Sequence, residues 1–240
     1  MFRFKQFVVQ DERCGMKVGT DGTLLGAWAP TEGLGDGRVL DVGTGSGLIA
    51  LMLAQRCPEA TIMGIDSDEA AAAQAAENFA CSPWPERLRA RHIPLQQLAE
   101  EDNYAHSFRL IVSNPPYFVD SLKNPDAARR AARHTDNLSF QELLDCSLRL
   151  MHPEGTLALI LPAETEPTIL ALAAEQGLTP YFTTRVRTRT GKPVKRVLLA
   201  LRKRTSISTT TNQTSTLVLV DESGTPRSAA YQALCGEFYL

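Results

Sequence analysis

The sequence predicts an α/β fold: a doubly wound, mostly parallel sheet with an antiparallel hairpin at its C-terminal edge. Three observations carry this. Strand and helix patterns alternate from about residue 38 to 202, the mark of a parallel sheet covered by helices on both faces. A glycine-rich turn, Asp41-Val42-Gly43-Thr44-Gly45-Ser46-Gly47, joins the first of these strands to the first helix. The last two strand patterns are separated only by TGK at 190–192, which suits a hairpin and leaves no room for a crossover.

Taken in order, MFRFKQFVVQ alternates apolar with polar residues and reads as a strand. A helix over 22–29 follows, with Thr20 and Asp21 placed to cap it. VLDV (39–42) is a buried strand and LIALMLAQR (48–56) the helix after it. TIMGID (61–66) pairs with the alanine-rich helix DEAAAAQAAENFA, and LRARHI (88–93) and FRLIVS (108–113) are two more strands. Helix SFQELLDCSLRLM leads into strand TLALILP (156–162), and helix ETEPTILALAAEQG ends at Gly177. Strands YFTTRVRT and PVKRVLLALR form the hairpin. The polar stretch TSISTTTNQTST then separates the sheet from a last strand, LVLV (217–220), and helix, SAAYQALCG. Residues 119–138 break the pattern with a long connection, and such loops tend to be functional. The whole, 1–240, reads as one domain, with an N-terminal strand and helix (1–37), a core sheet (38–204) and an extension (205–240).

Composition narrows the function. Hydrophobic content of 43% supports a sizeable core, and a net charge of −2 gives no global attraction to nucleic acid, so basic surface has to be local. The five cysteines, Cys14, Cys57, Cys81, Cys146 and Cys235, are scattered without CxxC, and the four histidines lack zinc spacing, so no disulfide framework and no metal site is expected. No signal peptide and no membrane-spanning run is visible. The expectation is a cytoplasmic monomer with no metal and no membrane partner.

The glycine turn is where chemistry begins. Its spacing is G-x-G-x-G, which lets a ligand lie on bare backbone, and Asp66 ends the next strand at the distance where an acid can hold two ribose hydroxyls. An NAD-type or ligand-free domain is the alternative. An acid-G-x-G-x-G turn plus that second acid resembles the class I S-adenosylmethionine-dependent methyltransferases. The resemblance implies S-adenosyl-L-methionine as cofactor, with Asp41, Gly43, Thr44, Gly45 and Gly47 at its methionine portion and Asp66 at its ribose. Those enzymes often place an acid after the third strand to meet the adenine. Here the chain reads Ile93-Pro94-Leu95-Gln96, leaving apolar contact through Leu95, the backbone, or Gln96.

Asn114-Pro115-Pro116-Tyr117 closes the fourth strand, beside the expected methyl. A planar amine is a poor nucleophile because its lone pair is delocalised, so two acceptors must take its hydrogens and turn the lone pair to the sulfonium. The Asn114 side-chain oxygen and the Pro115 carbonyl are the candidates. Prolines hold the turn rigid and offer no competing N–H, and Tyr117 offers a face for a base to stack on. Adenine N6 in DNA or RNA, guanine N2 and a glutamine amide all remain possible targets, as does an inactive RNA-binding module.

The flanks choose among them. FKQF (4–7), CGMKVGTDGTLLGAWA (14–29), NPPYF, ARRAARH (128–134) and the terminal FYL together resemble the bacterial family that methylates adenine N6 beside the anticodon of a valine tRNA. That resemblance implies tRNA as partner and puts Lys17, Gly19, Thr20 and Asp21 near the methionine end of the cofactor. Candidate RNA contacts are Tyr117, Phe118, Arg129, Arg130 and Arg133 in and after NPPY, and Arg185, Arg187, Arg189, Lys192 and Lys195 in the hairpin. Arg185, Arg187 and Arg189 would share one face of a strand. The 119–138 loop is expected to order over a flipped nucleotide, His134 to be a surface residue, and FYL to pack on the core.

Overall fold

A computed structural model of the chain describes residues 1–115, 138–204, 211–222 and 227–239. A short antiparallel ribbon, β1 (Phe2–Arg3) and β2 (Val8–Val9), precedes helix α1 (Thr20–Trp28). Then come β3 (Arg38–Val42), α2 (Leu48–Arg56), β4 (Thr61–Asp66), α3 (Glu69–Ala80), β5 (Leu88–His92), α4 (Leu95–Leu98) and β6 (Phe108–Ser113). The second half holds α5 (Phe140–Leu150), β7 (Met151–Pro162), α6 (Glu166–Glu175), β8 (Leu178–Arg189), β9 (Val194–Lys203), β10 (Gln213–Val220) and α7 (Ala229–Cys235).

The main sheet runs β10-β8-β9-β7-β6-β3-β4-β5, antiparallel only where β9 meets β7 and β8. Its central strands read as unbroken apolar runs because both faces are covered. Along β7, Leu157, Leu159 and Leu161 point into one core with Leu143, Leu144 and Ile169, while Ala158 and Ile160 join the opposite core with Leu24, Leu51 and Met52. Period-two alternation thus feeds two hydrophobic layers from one strand.

One expectation is corrected. The β8–β9 hairpin is not the sheet edge, because β10 pairs in parallel with β8 from Gln213↔Phe182 to Val220↔Arg189. The polar residues Gln213 to Thr216 belong to this strand and are exposed, so their sequence shows no alternation.

Register decides which end of the sheet each charge occupies. Pro162 pairs with Arg196 and Arg187 with Val194, so the β8–β9 turn lies at the carboxyl end of the parallel strands. Thr156 pairs with Arg202, which sends Arg202, Lys203 and Arg204 to the opposite end.

The two chain ends meet. Lys5 donates its backbone N–H to Phe238 O at 2.8 Å and its ammonium to Gly236 O at 2.7 Å. Phe4 lies 4.7 Å from Phe7 and 5.8 Å from Tyr239, ring to ring, and Phe238 is buried. No described helix is long and apolar enough to cross a membrane, and no metal-binding cluster occurs among the described residues.

Candidate active site

The ends of β3, β4 and β6 open onto a cleft of about 830 Å³, with a second cavity of about 380 Å³ beside it. Both are lined by Met16, Gly43, Gly45 and Asn114, so those residues mark where the two spaces join.

The glycine loop is built by backbone geometry that side chains resist. Gly43, Gly45 and Gly47 have φ of +68°, +54° and +81°. A Cβ on Gly43 or Gly45 would meet nothing within 4 Å, so these two turn bare backbone to open space. A Cβ on Gly47 would stand 2.4 Å from Phe79, so this glycine serves the packing of the loop on α3.

The two acids of the motif have separate duties. Asp41 is fully buried and lines neither cavity. Its Oδ2 accepts from the Thr44 hydroxyl at 2.7 Å and the Ala50 N–H at 3.2 Å, while Oδ1 is buried without a partner. Burial pushes its carboxyl up to about 7, against the opposing pull of those donors. Asp41 therefore shapes the loop from behind, while Thr44, bonded to it, also lines the smaller cavity. Asp66 lines the large cleft, its Oδ2 accepting from Gly45 N–H at 2.8 Å and Oδ1 from Asp68 N–H at 3.0 Å. Each carboxylate oxygen keeps a further lone pair for a ligand.

Lys17, Gly19, Thr20 and Asp21 all line the smaller cavity, but two details differ from expectation. Helix α1 starts at Thr20 on an N-cap at Gly19 with no side-chain cap, so neither Thr20 nor Asp21 caps it. Glycine at the cap leaves the first amides of α1 bare, facing the cavity that the glycine loop shares. The Lys17 ammonium donates to Asp11 O at 2.7 Å and Glu12 O at 3.0 Å, closing its own loop, and Asp21 accepts from Arg196 Nε at 2.7 Å.

Asn114 is held from two sides. Ser113 donates to Val42 O at 2.9 Å, locking β6 to β3, and Asn114 Nδ2 sits 3.6 Å from Met16 Sδ. Pro115 and the buried Leu95 line the large cleft. Pro116, Tyr117, Phe118, Arg129, Arg130 and Arg133, with His134 and the connection from 119 to 137, lie outside the described residues.

The hairpin cations divide. Arg185 pairs with Glu166 at 2.5 Å and Arg187 donates to Lys192 O at 2.5 Å, so both are engaged internally. Arg189, Lys192 and Lys195 are exposed at the carboxyl end.

Sequence reasoning missed Asn78. This buried residue of α3 accepts from Gln10 N–H at 3.0 Å and donates to Gln10 O at 2.7 Å and Ser46 O at 2.8 Å. It clasps the N-terminal segment to the glycine loop. The available signal was Gln74 and Asn78 four apart on the face that also buries Ala71 and Ala75.

Known proteins bear on this geometry. The methyltransferase small domain family matches residues 23–166. The tRNA1(Val) (adenine(37)-N6)-methyltransferase of Parabacteroides distasonis is 44% identical over 239 residues, covering 100% of this chain and 97% of its own. That of Bacteroides fragilis is 47% identical over 199 residues, covering 83% and 82%. The chain belongs to this methyltransferase family. Among solved structures, a predicted O-methyltransferase from Agrobacterium tumefaciens aligns with a TM-score of 0.68 at 18% identity, over 91% of this chain and 96% of that one. P. horikoshii TYW2 in complex with MeSAdo aligns with a TM-score of 0.53 at 16% identity, over 78% and 64%. Membership accounts for the mostly parallel sheet with its antiparallel hairpin, the class I methyltransferase fold.

Proposed function

We propose that this chain, as a single methyltransferase domain and a cytoplasmic monomer, methylates the exocyclic N6 of adenosine 37 in tRNA1(Val), the position its relatives' names carry. S-adenosylmethionine is the methyl donor, supplying when bound an electrophilic methyl on a sulfonium. The observation that carries the reading is Asn114 at the junction of two cavities that share the glycine loop.

The residues present fit that cofactor. Gly43 and Gly45 offer backbone with no side chain in the way, the uncapped start of α1 offers N–H groups to a carboxylate, and Asp66 offers acceptors to a ribose. On the substrate side, Asn114 Oδ1 and the Pro115 carbonyl take the hydrogens of the target amine and direct its lone pair toward the methyl. Positioning supplies the catalysis, since the amine becomes acidic as the new bond forms. The rigid prolines keep the acceptors in place before the base arrives.

Arg189, Lys192 and Lys195 stand on the same end of the sheet as this site, where they can meet phosphates of a tRNA. The test is incubation with labelled S-adenosylmethionine and, separately, undermodified tRNA, ribosomal RNA, DNA and release factor, followed by nucleoside mass spectrometry. N6-methyladenosine from tRNA alone is the expected result. Label on guanine or on protein would retain the fold and reject the substrate.

A further inference from the structure

Across the carboxyl edge of the sheet the order of ends is β6, β3, β4, β5, carrying in turn Asn114, the glycine loop, Asp66 and the segment from Ile93 to Gln96. A molecule lying on the loop with its ribose at Asp66 therefore has its base over the end of β5. That part of the cleft is walled by Ile65, Ile93, Leu95 and Leu138. Two polar side chains meet in it. Gln96 Nε2 donates to Glu142 Oε1 at 3.3 Å, and the other Glu142 oxygen accepts the Ser139 N–H at 2.9 Å and hydroxyl at 2.7 Å.

This arrangement fixes which way the Gln96 amide faces. An ionised carboxylate only accepts, so the amide must turn its NH₂ to Glu142 and its carbonyl elsewhere. Ser139's hydroxyl and N–H hold the Glu142 carboxyl below its ordinary range, so it stays an acceptor at neutral pH. Gln96 itself lines the cleft and is half-buried, and turning its NH₂ to Glu142 leaves its carbonyl oxygen for the cleft. An acceptor at the rim of a flat apolar slot suits a purine bearing an amino group. The same slot disfavours a purine with a carbonyl there, because two acceptors would face each other.

We propose that Gln96, oriented by Glu142, reads the 6-amino group of the cofactor's adenine and makes the site select adenosyl over inosyl ligands. The pair takes the place of the acid missing after the third strand. Glu142 acts through Gln96 and is a positioning residue. The inference rests on the reading that S-adenosylmethionine occupies this cleft.

Calorimetry with S-adenosylhomocysteine and S-inosylhomocysteine tests it without any turnover. The wild type should prefer the adenosyl ligand by about tenfold. Gln96→Ala should weaken adenosyl binding by about five- to tenfold, leave inosyl binding nearly unchanged, and so erase the preference. Glu142→Ala should reduce the preference, while Ser139→Ala, which retains the backbone N–H that holds the Glu142 carboxylate, should keep most of it. Equal losses for both ligands in Gln96→Ala, or the same reduced preference in Ser139→Ala as in Glu142→Ala, would overturn the proposal. A wild type that binds neither ligand would reject it together with the cofactor reading.

Discussion

At the carboxyl end of the sheet Arg189, Lys192 and Lys195 stand exposed at and beside the turn between β8 and β9, whereas at the amino end the cations of the same β9 are folded onto protein. Arg202 lies 3.8 Å over the Tyr181 ring and donates to Thr156 Oγ1 at 3.1 Å, and Lys203 donates to Met151 O at 3.2 Å. Arg87 likewise donates to three carbonyls, of Ala54, Cys57 and Ala60. A count of basic residues treats these as one patch. Register and partners together separate them into side chains exposed to solvent and side chains that tie protein segments to one another. Charge becomes a functional signal only after its position along a strand is known.

The largest effect should come from the carboxyl end's own centre. Asn114→Ala is expected to lower methyl transfer by at least ~100-fold, in keeping with the loss of one preorganised polar group at a reacting centre. Its affinity for S-adenosylhomocysteine, read by calorimetry, should change little. Turnover near the wild-type rate would remove Asn114 from the acceptor role.

A smaller effect compares the two ends directly. Replacing Arg189, Lys192 and Lys195 together by Ala should weaken tRNA binding and lower the slope of log affinity against log salt by about two. Arg202→Ala should leave that slope unchanged and lower the melting temperature instead, because it removes a ring contact and a hydrogen bond. Equal loss of tRNA affinity in both variants would dissolve the distinction between the ends.

The smallest effect lies within the carboxyl end, at Asp41. Its carboxyl titrates at about 7 when folded and near 3.8 when unfolded. The folded state therefore binds more protons between those values, so this group's contribution to stability is full below pH ~4 and is lost as pH rises through about 7. Asp41→Asn can keep an oxygen toward Thr44 and Ala50 and should flatten the fall of melting temperature between pH ~4 and ~7. An unchanged slope would show that another group sets it.

Much of the site was legible because its constraints are local. Three glycines at positive φ and an acid after the next strand need only a few neighbouring residues to be understood. NPP is likewise a backbone specification, although Asn114 and Pro115 are the part of it described here. What escaped depends on partners far along the chain. Gln96 meets Glu142 from 46 positions away, Asn78 meets Gln10 from 68, and Asp21 meets Arg196 from 175. The misplaced start of α1 has a different cause: a glycine served as cap where hydroxyl and carboxylate side chains were at hand. β10 was half seen, since only its buried residues carry an apolar signature.

The contact between the first and last segments ties the cleft wall to residues far along the chain. Lys5 reaches Gly236 across 231 positions, and Gln55 donates to Glu237 O at 3.1 Å from α2. The N-terminal segment also supplies Cys14, Gly15 and Met16 to the cleft wall. During synthesis the sheet from β3 to β9 has emerged before Gly236 and Phe238 exist to anchor that segment. Until they do, the segment that walls the glycine loop lacks both hydrogen bonds from Lys5 to this region. Residues 236–238 therefore help to complete a site whose wall begins with residues 14–16.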